Sequence, residues 1–381
     1  MINVGVFGPG PMGLIALRGV IDHPKLRLTK LVVHSEHKKG RDAGELCGID
    51  PVGVAATDDP DELLDADVDV VYYAATGNLR PAEAVDDMAR ILRTGRDVVS
   101  CSVITLVFPQ ANAAELVDPL RAACAEGASS CYTSGIDPGF ANDALPLTLS
   151  GMSRDIESIR VSEIFNYGTY PQPEALFEIL GFGRPPEFQA VFTTPGVLSY
   201  AWGPVLHQLA DGLGEQIQDL SEHIDYVTVE HGFDTPNGPI PSGTVGAMRS
   251  TLTGVIDGEP KLVLDHVTRM HDDLAPEWPQ PTIATEPRDS GYPGVSGKGG
   301  YRVEISGSPD VRCDLELVEE RDHDLGARVA GATLLVNAIP AVRAAAPGLR
   351  SVLDLPRIAG TGLLRHVAGP TPDSRAIPAT P

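Results

Sequence analysis

The stretch Val4-Gly5-Val6-Phe7-Gly8-Pro9-Gly10-Pro11-Met12-Gly13 constrains this chain more than any other. An apolar strand runs into Gly8, Gly10 and Gly13 at G-x-G-x-x-G spacing, and Met12 to Val20 predicts the first helix. Gly8 allows a tight turn, Gly10 lets the backbone approach a pyrophosphate, and Gly13 lets the helix lie close to the strand. The helix N-terminus adds free N–H groups and the positive end of its dipole. The expectation is a dinucleotide site that includes Pro11 and Met12 between the glycines.

Leu28 to Val33 reads as the second strand. An acid roughly 20 residues past the glycines would bond ribose hydroxyls in the NAD pattern. Here His34 and Ser35 stand instead, followed by Lys38, Lys39 and Arg41, donors suited to a 2′-phosphate. NADP(H) is therefore the preferred cofactor, with NAD(H) still open because Glu36 is close. Val68 to Ala74 is a near-continuous apolar run, as a strand covered on both faces should be. Its continuation, Ala75-Thr76-Gly77, and Ser100 at the end of the strand Asp97 to Ser100, are placed beside the cofactor. Helices over Pro81 to Leu92 and Gln110 to Glu126, with a strand over Ser129 to Ser134, complete an alternating order. That order predicts a Rossmann-type doubly wound parallel sheet of α/β class in residues 1–140.

After the turn Gly135 to Phe140 and a helix over Ala141 to Leu149, strand-like runs follow one another. They cover Ile156 to Ile164, Ile224 to Glu230, Gly243 to Val255, Lys261 to Met270, Tyr301 to Ser306 and Arg312 to Val318. Helices are predicted at Pro173 to Leu180 and Gly196 to Leu213. Residues 141–324 should thus form a second domain of α+β type with a mixed or antiparallel sheet. Ala327 to Ala345 is helical in spacing, with Asp324 as its expected N-cap, and residues 325–350 should close back on the first domain. Gly369 to Pro381 reads as a loose tail.

The net charge of −23 disfavours a nucleic-acid partner, which needs clustered Lys and Arg. There is no apolar run of about 18 residues or more, so no membrane span is expected, and no secretory signal is evident at the start. Five scattered cysteines argue for a reducing cytoplasm and against a structural metal site.

Several segments together resemble the dihydrodipicolinate reductase-like family, in the branch of 2,4-diaminopentanoate dehydrogenase and the native amine dehydrogenases. They are Gly8 to Gly13, Lys39-Gly40-Arg41-Asp42, Gly135 to Phe140, Leu180-Gly181-Phe182-Gly183 and Val336 to Pro340. The resemblance implies that residues 141–324 form an open mixed sheet that carries the substrate and mediates dimerisation. It implies a nicotinamide cofactor, a homodimer, and reductive amination of a ketone or aldehyde, or reduction of an imine. It also implies a glutamate in the loop after Asp97 to Ser100, but Ser100-Cys101-Ser102-Val103-Ile104-Thr105-Leu106 holds no carboxylate. A carbonyl reductase that does not use ammonia, or a non-catalytic NADP-binding sensor, stays open as an alternative.

Hydride transfer needs a group that polarises or protonates the acceptor heteroatom. Asp137, after a strand end at the domain junction, and His266, in an alternating strand, are the candidates. Tyr167, Tyr170 and Asn142 are placed around a carbonyl, imine or amine substrate, with Phe140 and Phe182 as its apolar wall. Asn337 is a candidate for the nicotinamide carboxamide. No metal ligand set is apparent.

Overall fold

The computed structural model describes residues 1–65, 67–78 and 80–364. The first half alternates: β1 (Ile2–Phe7), α1 (Pro11–Asp22), β2 (Leu26–Val32), α2 (Ala43–Leu46), β3 (Ala56–Thr57), α3 (Asp61–Asp65), β4 (Val70–Tyr73), α4 (Pro81–Arg93), β5 (Asp97–Ser100), α5 (Ala114–Gly127) and β6 (Ser130–Thr133). Then come α6 (Ala144–Ser150), β7 (Asp155–Asn166), α7 (Val197–Gly212), β8 (Asp219–Thr228), β9 (Phe233–Thr235), β10 (Gly238–Ile240), β11 (Val245–Ile256), β12 (Glu259–Arg269), β13 (Gly299–Ser308) and β14 (Val311–Leu315). The described chain closes with α8 (His323–Ala344) and β15 (Gly348–Arg350).

The first sheet has seven strands in the order β15-β6-β5-β4-β1-β2-β3, every pair parallel. Its central strands β1 and β4 are almost wholly apolar because both faces are covered. Val4, Val6, Tyr72 and Val99 meet Leu17 and Val20 of α1 and Leu335 and Ile339 of α8. On the other face Phe7, Val71 and Val98 meet Met88 and Leu92 of α4 and Leu120 of α5. Strand order reverses between β1 and β4, so the glycine turn after β1 sits at the switch point where open α/β sheets hold their ligands.

The second sheet runs β14-β13-β7-β12-β11-β8. It is mixed, since β7 and β12 pair in parallel while the other neighbours are antiparallel. Leu198, Val205, Leu206 and Leu209 of α7 bury its inner face, against Ile159, Val161, Leu252 and Leu264. Among the described residues α8 alone is long and apolar enough to cross a membrane, but it lies packed against α1 and the parallel sheet.

Several expectations shift. The helix predicted from Gln110 starts at Ala114, because Asn112 Nδ2 donates to Thr105 O (2.7 Å) and Phe108 O (2.9 Å) and holds the preceding segment in two short 3-10 turns. The helix predicted over Pro173 to Leu180 is a single π turn, Ala175–Ile179. The N-cap of α8 is Asp322, whose Oδ1 accepts from Leu325 N at 2.8 Å, and not Asp324, which is paired with Arg328. β15 was not foreseen; three residues give too short a pattern to read. The segment Gly369 to Pro381 lies outside the described residues.

Candidate active site

The glycine turn has the shape a dinucleotide needs. Gly8 has φ +72°, and a Cβ there would lie 2.6 Å from the Ala75 backbone, so the loop after β4 rests directly on the turn. A Cβ on Gly13 would meet Ala74 at 3.0 Å, which sets the close approach of α1. Gly10, the N-cap of α1, has nothing within 4 Å of its would-be Cβ, and no side chain caps the helix. An open backbone face at an uncapped helix N-terminus fits a pyrophosphate. Pro11 and Met12 occupy the first turn of α1 beside it.

The basic loop after β2 divides. Lys38 reaches back over the turn and donates from Nζ to Pro9 O at 2.7 Å. Lys39 turns away into an exposed ion pair with Asp58 at 2.6 Å, and the Asp58 hydrogen bond raises its pKa. Ser35 opens a short 3-10 turn without using its side chain as a cap. Behind the turn the loops after β4 and β5 are tied together. Ser102 Oγ donates to Ala75 O, and a Cβ on Gly77 would collide with Ser102 O at 2.8 Å. Thr76 is exposed between these two. Ser100 is fully buried and its Oγ accepts from Ser102 N at 3.0 Å, so it shapes the loop.

Asn337 does not reach this region. It lies on α8 beside Gly19 and His23, at the end of α1 remote from the glycine turn. The sequence places it on the right helix, but α8 runs away from the cleft and carries Asn337 with it, as its end shows where Arg343 pairs with Asp97 at the start of β5.

The chemistry-bearing residues gather where the chain passes from the parallel sheet to the mixed one. Gly135 to Asn142 forms a closed loop with a cis Asp137–Pro138 peptide. Gly139 has φ +144°, and a Cβ there would strike Gly135 O at 2.3 Å, while Gly139 N donates to Asn142 Oδ1 at 2.8 Å. Asn142, only 1% exposed, is therefore a holder of this loop rather than a wall of a pocket. The loop presents Asp137 to two donors: Trp202 Nε1 of α7 bonds Oδ1 at 2.7 Å, and His266 Nε2 of β12 lies 3.1 Å from Oδ2. The Trp202 indole also stands edge-on to the His266 ring at 4.8 Å.

Strand register completes the group. Ser250, His266, Glu163 and Tyr301 are successive cross-strand partners on β11, β12, β7 and β13, one polar row on the inner face of the mixed sheet. The Tyr167 hydroxyl donates to Glu163, and Tyr167 stacks on Tyr170 at 4.8 Å. Burial opposes charge throughout the row, but the neighbours decide the outcome. Burial would lower His266; the Asp137 and Glu163 carboxylates overcome this and bring it to about 9. Burial would raise Asp137; the His266 charge and the hydrogen bonds from His266 and Trp202 hold it below the usual carboxylate range. Glu163 is pushed up to about 7 by burial and by the Asp137 charge, with His266 offsetting part of the rise.

Asp137, His266, Tyr167 and Tyr170 are thus brought together; the two phenylalanines are not. Phe182 is fully buried in the core under the mixed sheet. Phe140 points to the far side of its loop, into a hollow lined by Leu334, Val352 and Leu355. A turn residue's direction depends on the loop closure just described, which spacing does not reveal. Glu163, Tyr301 and Trp202 were missed, although Glu163 left a signal. It occupies the inward row of β7, in the alternation Ile159, Val161, Glu163, Phe165, where a carboxylate calls for an explanation. Among the described residues no group of three or more His, Cys, Asp or Glu side chains is placed to hold a metal ion.

The family model described as dihydrodipicolinate reductase, N-terminus, matches residues 2–76. An amine dehydrogenase of Streptomyces virginiae is 38% identical over 359 residues, covering 93% of this chain and 96% of that protein. A 2,4-diaminopentanoate dehydrogenase of Acetoanaerobium sticklandii is 23% identical over 368 residues, covering 93% and 92%. Among solved structures, the amine dehydrogenase from Mycobacterium smegmatis superposes with a TM-score of 0.73 at 19% identity, over 94% of this chain and 97% of that one, a likeness of fold. With a glycine turn shaped for a dinucleotide and these relatives along nearly its whole length, the chain belongs to the dihydrodipicolinate reductase-like family, in the branch of the amine dehydrogenases and 2,4-diaminopentanoate dehydrogenase, and is an NAD(P)-dependent oxidoreductase.

Proposed function

We propose that this protein uses NADP(H) to aminate a small, largely apolar ketone or aldehyde reductively, or to reduce the corresponding imine, as a cytoplasmic homodimer. The observation that carries the reading is the buried Asp137–His266 pair set beside Glu163 where the two sheets meet. A reduced nicotinamide, bound along the glycine turn, supplies the hydride. This chain's residues supply the rest. Gly8, Gly10 and Gly13 with Pro11 and Met12 cradle the phosphates, while Ala75, Thr76 and Gly77 border the cofactor. Tyr167 and Tyr170 offer an apolar wall with polar tips to the substrate. The Asp137–His266 pair keeps a fixed charge against the carbonyl or imine, and proton transfer by a positioned group contributes about 10²–10⁴-fold.

The choice of NADP(H) is supported by the end of β2, where no carboxylate stands at His34 or Ser35 and where Lys38 overhangs the turn. Lys39, engaged by Asp58, must leave its partner to take part. The five cysteines are free thiols, in keeping with a reducing compartment.

Fluorescence titration with NADPH and NADH tests the cofactor, and a panel of ketones and aldehydes with and without ammonium tests the reaction. Tighter binding of NADPH and NADPH oxidation that requires ammonium are expected. Tighter binding of NADH would refute the cofactor assignment. One observation favours a second reading, a carbonyl reductase: the loop after β5 offers the apolar and buried Val103 and Leu106 and no carboxylate. Turnover at the same rate without ammonium would establish that reading instead.

A further inference from the structure

We propose that Glu163 is the catalytic residue that carries protons between the nitrogen and the oxygen of the reacting group, taking the place of the carboxylate that the loop after β5 does not hold. The assignment rests on the reading of this site as one for reductive amination. Three carboxylates meet here, and their partners separate their roles. Asp137, with a side chain 5% exposed, is held by His266 and Trp202. Asp324, 7% exposed, is held by Arg328, whose Nε donates at 2.8 Å. Asp137 is held below the usual carboxylate range by the His266 charge and the ring N–H of Trp202, while Asp324, which burial raises, is tied into an ion pair with the Arg328 guanidinium. Glu163 alone of the three has neutral hydroxyl neighbours, the Tyr167 hydroxyl that donates to it and the cross-strand Tyr301, and it is only partly buried while His266 and Tyr301 beside it are closed off. A carboxyl with hydroxyl neighbours can change its protonation without breaking an ion pair.

The groups that face it are His266 of β12, Tyr301 of β13, Tyr167 at the end of β7, Asp137 of the loop after β6 and Asp324 of α8. Burial and Asp137 raise it, His266 and the Tyr167 bond lower it, and the balance of about 7 leaves both forms populated near neutrality. The carboxylate takes a proton from ammonium, and the freed nitrogen pair forms the C–N bond as the C=O π pair moves to oxygen. Glu163 returns that proton to the oxygen. It then takes a second proton from nitrogen and gives it to the hydroxyl, which leaves as water with the C–O pair while the nitrogen pair forms C=N. The hydride from the reduced nicotinamide adds to that carbon, and solvent supplies the last proton to the product amine.

Glu163→Gln keeps the shape of the side chain and an acceptor for the Tyr167 hydroxyl, and unchanged NADPH affinity checks that the variant is folded. Expected is a fall of about 10²–10⁴-fold in ammonium-dependent kcat, with loss of the ionisation near 7 from the pH profile. Glu163→Ala should recover part of its activity with added formate, a rescue that a purely structural role would not show. In the cofactor-free protein, infrared difference spectra between about pH 5 and about pH 9 should show a carboxyl titrating near 7 that is absent from E163Q. Wild-type amination with an equally active E163Q of unchanged pH profile would overturn the assignment and leave the proposed function standing. A wild-type enzyme that reduces carbonyls without using ammonium would instead remove the proposed function, and this assignment with it.

Discussion

Asp137 accepts from a ring N–H that never ionises and from an imidazole that does, which makes His266 the residue that reports on the site. In Asp137→Asn the imidazole loses its counter-ion inside a closed pocket. We expect its titration, followed by NMR, to fall from about 9. Breaking a buried pair from one side costs on the order of 3–5 kcal/mol, to be read from urea unfolding. An unchanged imidazole titration would show that the pair is not what sets His266. At this scale the sequence was partly legible. Asp137 and His266 stand out because a polar group at a strand end or in an alternating strand needs a partner. That they are each other's partner is a contact between residues 129 positions apart, and no local pattern contains it.

The element that most shapes the molecule is the strand–turn–helix at its start, and two of its glycines do different work. A Cβ at Gly8 collides with backbone and needs φ +72°, whereas a Cβ at Gly10 meets nothing within 4 Å and its φ of −73° suits any residue. Gly8→Ala should therefore lower the melting temperature and weaken NADPH binding together. Gly10→Ala should melt as the wild type does and still bind NADPH more weakly, at least about tenfold if its Cβ blocks one charge-assisted hydrogen bond to phosphate. Calorimetry with fluorescence titration checks both, and a Gly10→Ala protein with wild-type affinity would show that the phosphates lie elsewhere. Elements of this kind were read to within a few residues because apolar period, capping residues and glycines act locally. At the start of α5 the reading slipped because Asn112 bonds the backbone of the preceding turns, a side-chain contact that the apolar period does not encode.

Across the whole molecule, the three buried groups with large upward shifts near neutral pH tie stability to pH in one direction, against the smaller opposite pull of His23 and His207, which burial lowers. Asp143 is raised to about 6 and Glu163 to about 7, chiefly by burial, and His266 to about 9 by its carboxylate neighbours against burial. Each contributes stability that is complete below its ordinary value and is lost as pH rises through its value in the folded protein. For Glu163 that window runs from 4.5 to about 7, and for His266 from 6.5 to about 9. Urea midpoints should therefore decline from the acid to the alkaline end of this range, and Glu163→Gln should flatten the lower part; an equally steep decline in E163Q would contradict the burial argument. The sequence by itself determined the parallel sheet, the second mixed sheet and the glycine turn at the switch point. Each of these is written in spacing between neighbours along the chain, through side-chain period and backbone freedom. Only the tertiary structure decided which polar side chains face one another. Ser250, His266, Glu163 and Tyr301 become a row through the register of four strands, and one residue of slip would send each of them to the opposite face.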